Sequence, residues 1–188
     1  MQDAAPPARA LRRLLSRGLV RAGIVTEPPR APDPALRALS QRLETAVLER
    51  LGRALAVRHV DAGSCNGCEL EIHALGNPYY NLEGLGMKFV ASPRHADLLL
   101  VTGPVSCNME QALLRTYAAM PEPKLVVAVG DCGCSGGIFG ESYASRGRVA
   151  NVMPVDVAVP GCPPQPAAIL QAILTAVTTD RRNSAASP

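Results

Sequence analysis

KLVVAVGDCGCSGG, residues 124–137, runs an apolar stretch directly into a turn of glycines and cysteines. Residues 124–129 read as a strand, and LVVAV within it is apolar at every position, as a strand covered on both faces should be. The arrangement recurs along the chain. Residues 54–60 (ALAVRHV) lead to Cys65 and Cys68, 97–102 (DLLLVT) to Cys107, and 155–159 (VDVAV) to Cys162. A further strand is read at 87–91 (MKFVA), and helices at Cys68–Leu75, 108–119 and 165–178. Strands alternating with helices imply an α/β fold, an open parallel sheet with right-handed crossovers.

Upstream, Leu36, Leu39, Leu43, Val47 and Leu51 recur at helical spacing, so 34–52 reads as an amphipathic helix with Asp33 as N-cap and Pro34 at its first position. Residues 1–33 are rich in Ala, Pro and Arg, with Leu11, Leu14, Leu15 and Leu19 on one face of a short basic helix. Two readings of that segment stay open: a foot resting on a membrane or a membrane-embedded subunit, and a solvated tail. The expected organisation is a basic helical N-terminal extension over 1–53, a sheet domain over 54–179 and a tail over 180–188. Residues 1–58 carry 11 Arg against 5 acidic side chains, whereas 59–188 carry 8 Lys and Arg against 11 acidic ones. Basic charge confined to the first third points to a docking segment and not to a nucleic-acid fold. Aromatic residues are only 3% with no Trp, too few for base stacking, so no nucleic-acid partner is expected.

Residues 1–30 lack the apolar core of an export signal, and Arg12-Arg13 is followed too soon by Ser16-Arg17 for a twin-arginine signal. No apolar run reaches the roughly 18–20 residues of a membrane span. The expected setting is cytoplasmic and reducing, where cysteine spacing points to metal or redox use and not to disulfides.

All six cysteines fall after strands, at the edge of the sheet where open α/β folds bind ligands. The CxxC of Cys65 and Cys68 alone is a weak signal. Joined to Cys132 and Cys162 in Gly/Pro turns, it becomes the donor set of a [4Fe–4S] cluster, which takes four thiolates. Cys107 and Cys134 are read as buried small apolar residues, since four ligands complete one cluster. Glu71 lies on the helical face of Cys68 and is a candidate proton relay, with a helix-start acid as the alternative; for Glu69 the helix-dipole role is preferred. His59 and His73 read as packing or surface residues. GDCGCSGG has neither GxGxxG nor the Lys-Ser/Thr of a P-loop, so no nucleotide site is read there.

From about residue 55 to 178 the chain resembles the small subunit of nickel–iron hydrogenases and its relative, the B-type subunit of respiratory complex I. The resemblance rests on CNGC at 65–68, VTGPV at 101–105, MPEPK at 120–124, GDCGCSGG at 130–137 and PVDVAVPGCPP at 154–164. It implies a flavodoxin-like fold in which Cys65, Cys68, Cys132 and Cys162 hold the cluster nearest the active site. The CxGC spacing is the hydrogenase form, since complex I subunits carry two adjacent cysteines there, while MPEPK and PVDVAVPGCPP are close to complex I. The mixture resembles the membrane-bound, energy-converting (group 4) hydrogenases of the formate hydrogenlyase kind. By that resemblance the chain would be an oxidoreductase subunit, peripheral on the inner face of the cell membrane. Its partners would be a large subunit with the Ni–Fe site (or a complex I D-type relative), a ferredoxin-like subunit and a membrane arm. A quinone-linked, nickel-free relative is the alternative, and a structural zinc protein ranks third because only one cysteine pair is closely spaced.

Overall fold

The apolar runs form a single parallel sheet. The computed structural model describes residues 33–179; the expected N-terminal helix bearing Leu11, Leu14, Leu15 and Leu19, and the tail over 180–188, lie outside them. Five strands, β1 (Leu55–Asp61), β2 (Met87–Phe89), β3 (Leu98–Thr102), β4 (Leu125–Val129) and β5 (Val157–Val159), lie side by side in the order β2-β1-β3-β4-β5. Every pairing is parallel. That order is the flavodoxin-like one, with the chain reversing its direction of travel across the sheet at β1 and β3. The expected open parallel sheet is therefore what forms.

β3 and β4 are buried at every position, because helices cover both faces. On one face Leu55, Val57, Leu98, Leu100, Val127 and Val129 pack with α1 (Pro34–Leu51), α2 (Gly67–Ala74) and α5 (Pro166–Thr178). On the other, Leu99, Val101, Val126 and Ala128 pack with Leu113 of α3 (Cys107–Ala119). Each fully buried Leu or Val contributes roughly 1.5–3 kcal/mol.

α1 begins as its sequence indicates: the Asp33 carboxylate accepts from Ala35 N at 3.0 Å, Pro34 follows, and Gly52 ends the helix in the left-handed region. Leu36, Leu43 and Val47 seat it in the same core as α5. Arg50 donates to the Val177 carbonyl and, at 3.2 Å, to that of Thr179, satisfying acceptors at the open end of α5. Two strands are shorter than the apolar runs. β5 starts only at Val157, because the Asp156 carboxylate, not a ladder carbonyl, accepts from Val126 N at 2.7 Å. β2 ends at Phe89, and Pro93 soon opens a 3₁₀ turn.

Candidate metal centre

Each cysteine turn is built by a residue at the end of its strand. Asp61 closes β1 and its Oδ1 accepts from Gly63 N at 2.8 Å and Ser64 N at 2.7 Å, bending the chain towards Cys65. These donors outweigh the opposing effect of burial and hold the Asp61 carboxyl below its ordinary range. Asn66 takes φ +71, and α2 then starts at Gly67, placing Cys68 in its first turn. A side chain on Gly67 would lie within 3.6 Å of Cys65 Sγ and 3.9 Å of Pro163, so the CxxC turn and the Cys162 turn abut.

β4 passes at once into a helix that periodicity did not reveal, α4 (Gly130–Ser135), which carries both Cys132 and Cys134. Gly130 has φ +85, and a Cβ there would stand 2.5 Å from Cys68 Sγ. Only glycine leaves the Cys68 sulfur its space. The turn bearing Cys162 is tied to α4 through Gly161 N, which donates to Asp131 Oδ1 at 2.7 Å. The Cys162–Pro163 peptide is cis.

Cys65, Cys68, Cys132 and Cys162 come together at the carboxyl edge. The Cys68 thiol is pushed up to about 12, first by burial and then by Glu69 and the thiols of Cys65, Cys132 and Cys162. Cys132 is raised by burial, then by Cys162, Cys65 and Asp131. Cys65 and Cys162 are exposed while Cys68 and Cys132 are half-buried, so the group opens outward. Cys107 and Cys134 engage backbone instead. Cys107 Sγ donates to Tyr143 O at 3.4 Å, and Cys134 Sγ reaches Ala128 O at 3.8 Å. Cys134 also lines a cavity of about 410 Å³ with Ser135, Glu141, Gly147, Arg148 and Asn151.

Glu71 is half-buried. Beside it Glu69 is the buried acid, only 6% exposed, with neither carboxylate oxygen hydrogen-bonded. Its nearest opposite is His59 Nε2 at 3.8 Å, and that imidazole also meets Thr102 Oγ1 at 3.0 Å. Burial holds His59 below its ordinary pKa despite the pull of Glu69 and Asp61. Glu69 does sit in the first turn of α2, but its burial depends on which face of α2 meets the sheet, and no local pattern announces that.

The donors suit a soft, anionic cluster: four thiols, with room at Cys68 that a single methyl would fill. Among the described residues no three His, Cys, Asp or Glu side chains close on a single metal ion.

Residues 65–176 match the family described as NADH ubiquinone oxidoreductase, 20 Kd subunit. The chain belongs to that family. It is 45% identical over 140 residues to the probable membrane-bound hydrogenase subunit mbhJ of Pyrococcus furiosus, covering 73% of this chain and 84% of that one. It is 46% identical to formate hydrogenlyase subunit 7 of Escherichia coli, over 68% of this chain and half of that protein. The B-type subunit of NADH-quinone oxidoreductase from Desulfovibrio desulfuricans is 45% identical over 65% of this chain and 66% of its own length. Among solved structures, the membrane-bound sulfane sulfur reductase, an archaeal respiratory membrane complex, contains a chain that superposes with a TM-score of 0.60 at 31% identity, over 72% of this chain and 73% of that one. Both branches anticipated from the motifs, hydrogenase and quinone oxidoreductase, are thus present among the relatives of this oxidoreductase-subunit family. Among the described residues no helix is long and apolar enough to cross a membrane.

Proposed function

We propose that Cys65, Cys68, Cys132 and Cys162 hold one [4Fe–4S] cluster. The chain is then the electron-transfer subunit of a membrane-associated [NiFe] hydrogenase complex, exchanging electrons with the Ni–Fe site of a partner large subunit. The observation that carries this reading is that the turns bearing these four cysteines abut at the carboxyl edge of the sheet: a Cβ on Gly67 would meet both Cys65 and Pro163, one on Gly130 both Cys68 and Gly161, and Gly161 is tied to Asp131. A tetrahedral zinc site draws its thiolates to within about 4 Å of one another around one ion. A cuboidal cluster gives each thiolate its own iron and spreads them wider.

When bound, the cluster supplies a one-electron carrier whose potential depends on burial and on hydrogen bonds to sulfur. The chain's own residues set those conditions. Asp61 and Asp131 fix the turns, and Gly130 keeps space beside Cys68. Thiols become thiolates on ligation, so loading releases protons. Glu71, on the helix that carries Cys68, is proposed to move a proton near the site. Its carboxylate, after burial and Tyr79, helps hold the Tyr80 phenol above its ordinary range.

The hydrogenase reading is favoured by the CNGC spacing and by the hydrogenase subunit of Pyrococcus furiosus, which the chain matches over most of both lengths. Equal identity to a quinone oxidoreductase subunit keeps a quinone-linked complex as the second reading. Iron and acid-labile sulfide analysis of anaerobically purified protein tests the cofactor. About four of each per chain are expected, and a colourless protein loaded with zinc contradicts the reading. Nickel in the co-purified partner separates the two complexes.

A further inference from the structure

VTGPV, residues 101–105, contains no cysteine, yet it is buried from end to end at the edge of the sheet that carries the four proposed ligands. β3 closes at Thr102, and Gly103 then turns the chain in the left-handed region, with φ +77.

What the turn touches gives it a role. A Cβ on Gly103 would stand 2.5 Å from Ser64 N, 2.7 Å from Ser64 Cα and 2.8 Å from the carbonyl carbon of Gly63. All three are backbone atoms of the turn that delivers Cys65, so no side-chain rotation relieves the overlap. The contact is returned from the other side. Gly63 has φ +137, and a Cβ there would meet Pro104 O at 3.0 Å and Ser106 Cβ at 3.3 Å. Two glycines let the turns after β1 and β3 lie backbone against backbone. Hydrogen bonds clasp them before and after Gly103: Ala62 N donates to Thr102 O at 2.9 Å, and Ser106 N to Ala62 O at 2.8 Å.

The VTGPV turn is itself anchored. Val105 N donates to Gly147 O at 2.9 Å, Val105 O accepts from Arg146 N at 2.7 Å, and Ser106 Oγ caps α3 by accepting from Met109 N at 3.3 Å. Cys65 has little else behind it. It is exposed and precedes α2, whereas Cys68 and Cys132 ride on helices and the Cys162 turn is tied to Asp131. Ser64, its neighbour, is caught between two groups: Asp61 Oδ1 accepts from its N–H at 2.7 Å, and Gly103 blocks its retreat.

We propose that Gly103 is a positioning residue for Cys65, fixing through the backbone of Ser64 how far the Cys65 sulfur advances toward the site shared with Cys68, Cys132 and Cys162. The inference rests on the cluster reading and deepens it, giving β3 a part in the site although β3 supplies no ligand. Groups behind a metal ligand set its orientation, and moving them alters both the hold on the metal and its electronic surroundings.

The test compares Gly103→Ala with Gly86→Ala in the anaerobically purified full chain. Gly86 has nearly the same φ, +72, with open space where its Cβ would lie, and it precedes β2 at the opposite edge of the sheet. Gly86→Ala therefore reproduces the backbone strain without the collision. Both variants are expected to lower the urea midpoint. Only Gly103→Ala is expected to lower, by about tenfold, the chelator concentration that strips half the iron. It alone also changes the shape of the reduced cluster's electron paramagnetic resonance signal and shifts the midpoint potential. Should Gly103→Ala fail to fold, Gly63→Ala, which meets the same turn at a looser 3.0 Å, carries the comparison with the same expected direction. Iron retention, signal shape and potential that match those of Gly86→Ala overturn the proposal. Wild-type protein without iron overturns instead the cluster reading on which it rests.

Discussion

Asp131 and Gly161 exchange two hydrogen bonds: Asp131 N donates to Gly161 O at 2.9 Å, and Gly161 N donates to Asp131 Oδ1 at 2.7 Å. Each residue immediately precedes a cysteine of the proposed cluster site, so this pair sets the spacing between Cys132 and Cys162. Those two thiols lie on turns after different strands, and covalent geometry does nothing to hold them together. Asp131→Ala removes the side-chain acceptor and leaves Gly161 N unsatisfied, at a cost of about 1–2 kcal/mol. The expected result is a lower iron content with far-ultraviolet dichroism unchanged. Asp131→Asn keeps an oxygen at the same place and restores most of the iron. Equal iron in the wild type and Asp131→Ala would show that the clamp does not matter.

Gly130→Ala tests the space beside Cys68. A Cβ would sit 2.5 Å from the sulfur, on a residue whose φ of +85 already disfavours any side chain. Backbone strain alone costs about 1–2 kcal/mol. The variant is expected to fold with a lowered denaturation midpoint and to bind well under half the wild-type iron. Full iron loading would mean that the Cys68 sulfur has another position open to it.

Cys134→Ser is expected to leave iron and sulfide unchanged and to cost under about 1 kcal/mol, since its thiol meets only backbone, Ala128 O at a long 3.8 Å and the backbone of Val159, which a hydroxyl can also meet. Loss of iron in this variant would displace Cys132 as the third ligand.

His59 carries a pH prediction. Burial holds it neutral in the folded state, below its ordinary 6.5. The unfolded chain takes up a proton as pH falls through about 6.5, where the native state does not, so acid favours unfolding. Stability is therefore lost progressively below that pH, until the folded-state value is passed. His59→Gln keeps a partner for Thr102 but cannot take up the proton. Urea midpoints measured between pH 7 and pH 5 are expected to fall less in the variant. Parallel curves for the two proteins would contradict the assignment.

Much of the sheet was legible because its signals are local. LLLV and LVVAV are apolar at every position, as only strands covered on both faces need to be, and they became β3 and β4 with boundaries shifted by a residue. The Asp33-Pro34 start of α1 was equally plain, since an N-cap acts within one turn. α4 was not legible. GDCGCS is too short to show a helical period, and its glycines argue against helix; it forms because β4 delivers the chain there and Gly136 N can reach Cys132 O. The strand-end rule pointed to all six cysteines; the ligand count and the family motifs, not that rule, set Cys107 and Cys134 apart, and the backbone contacts of those two thiols are a tertiary property that no local pattern shows. Glu69 illustrates the same limit. The helix-dipole reading holds for its position in the first turn of α2, yet its buried, unbonded carboxylate could be known only once α2 was set against the sheet.

The cluster itself is tested most directly by electron paramagnetic resonance of anaerobically purified, dithionite-reduced protein, with wild type and Cys162→Ala measured side by side. The account predicts the spectrum of a reduced [4Fe–4S] cluster in the wild type and its disappearance in Cys162→Ala. A silent wild-type spectrum from a zinc-loaded protein, or a signal that persists undiminished in Cys162→Ala, would contradict it.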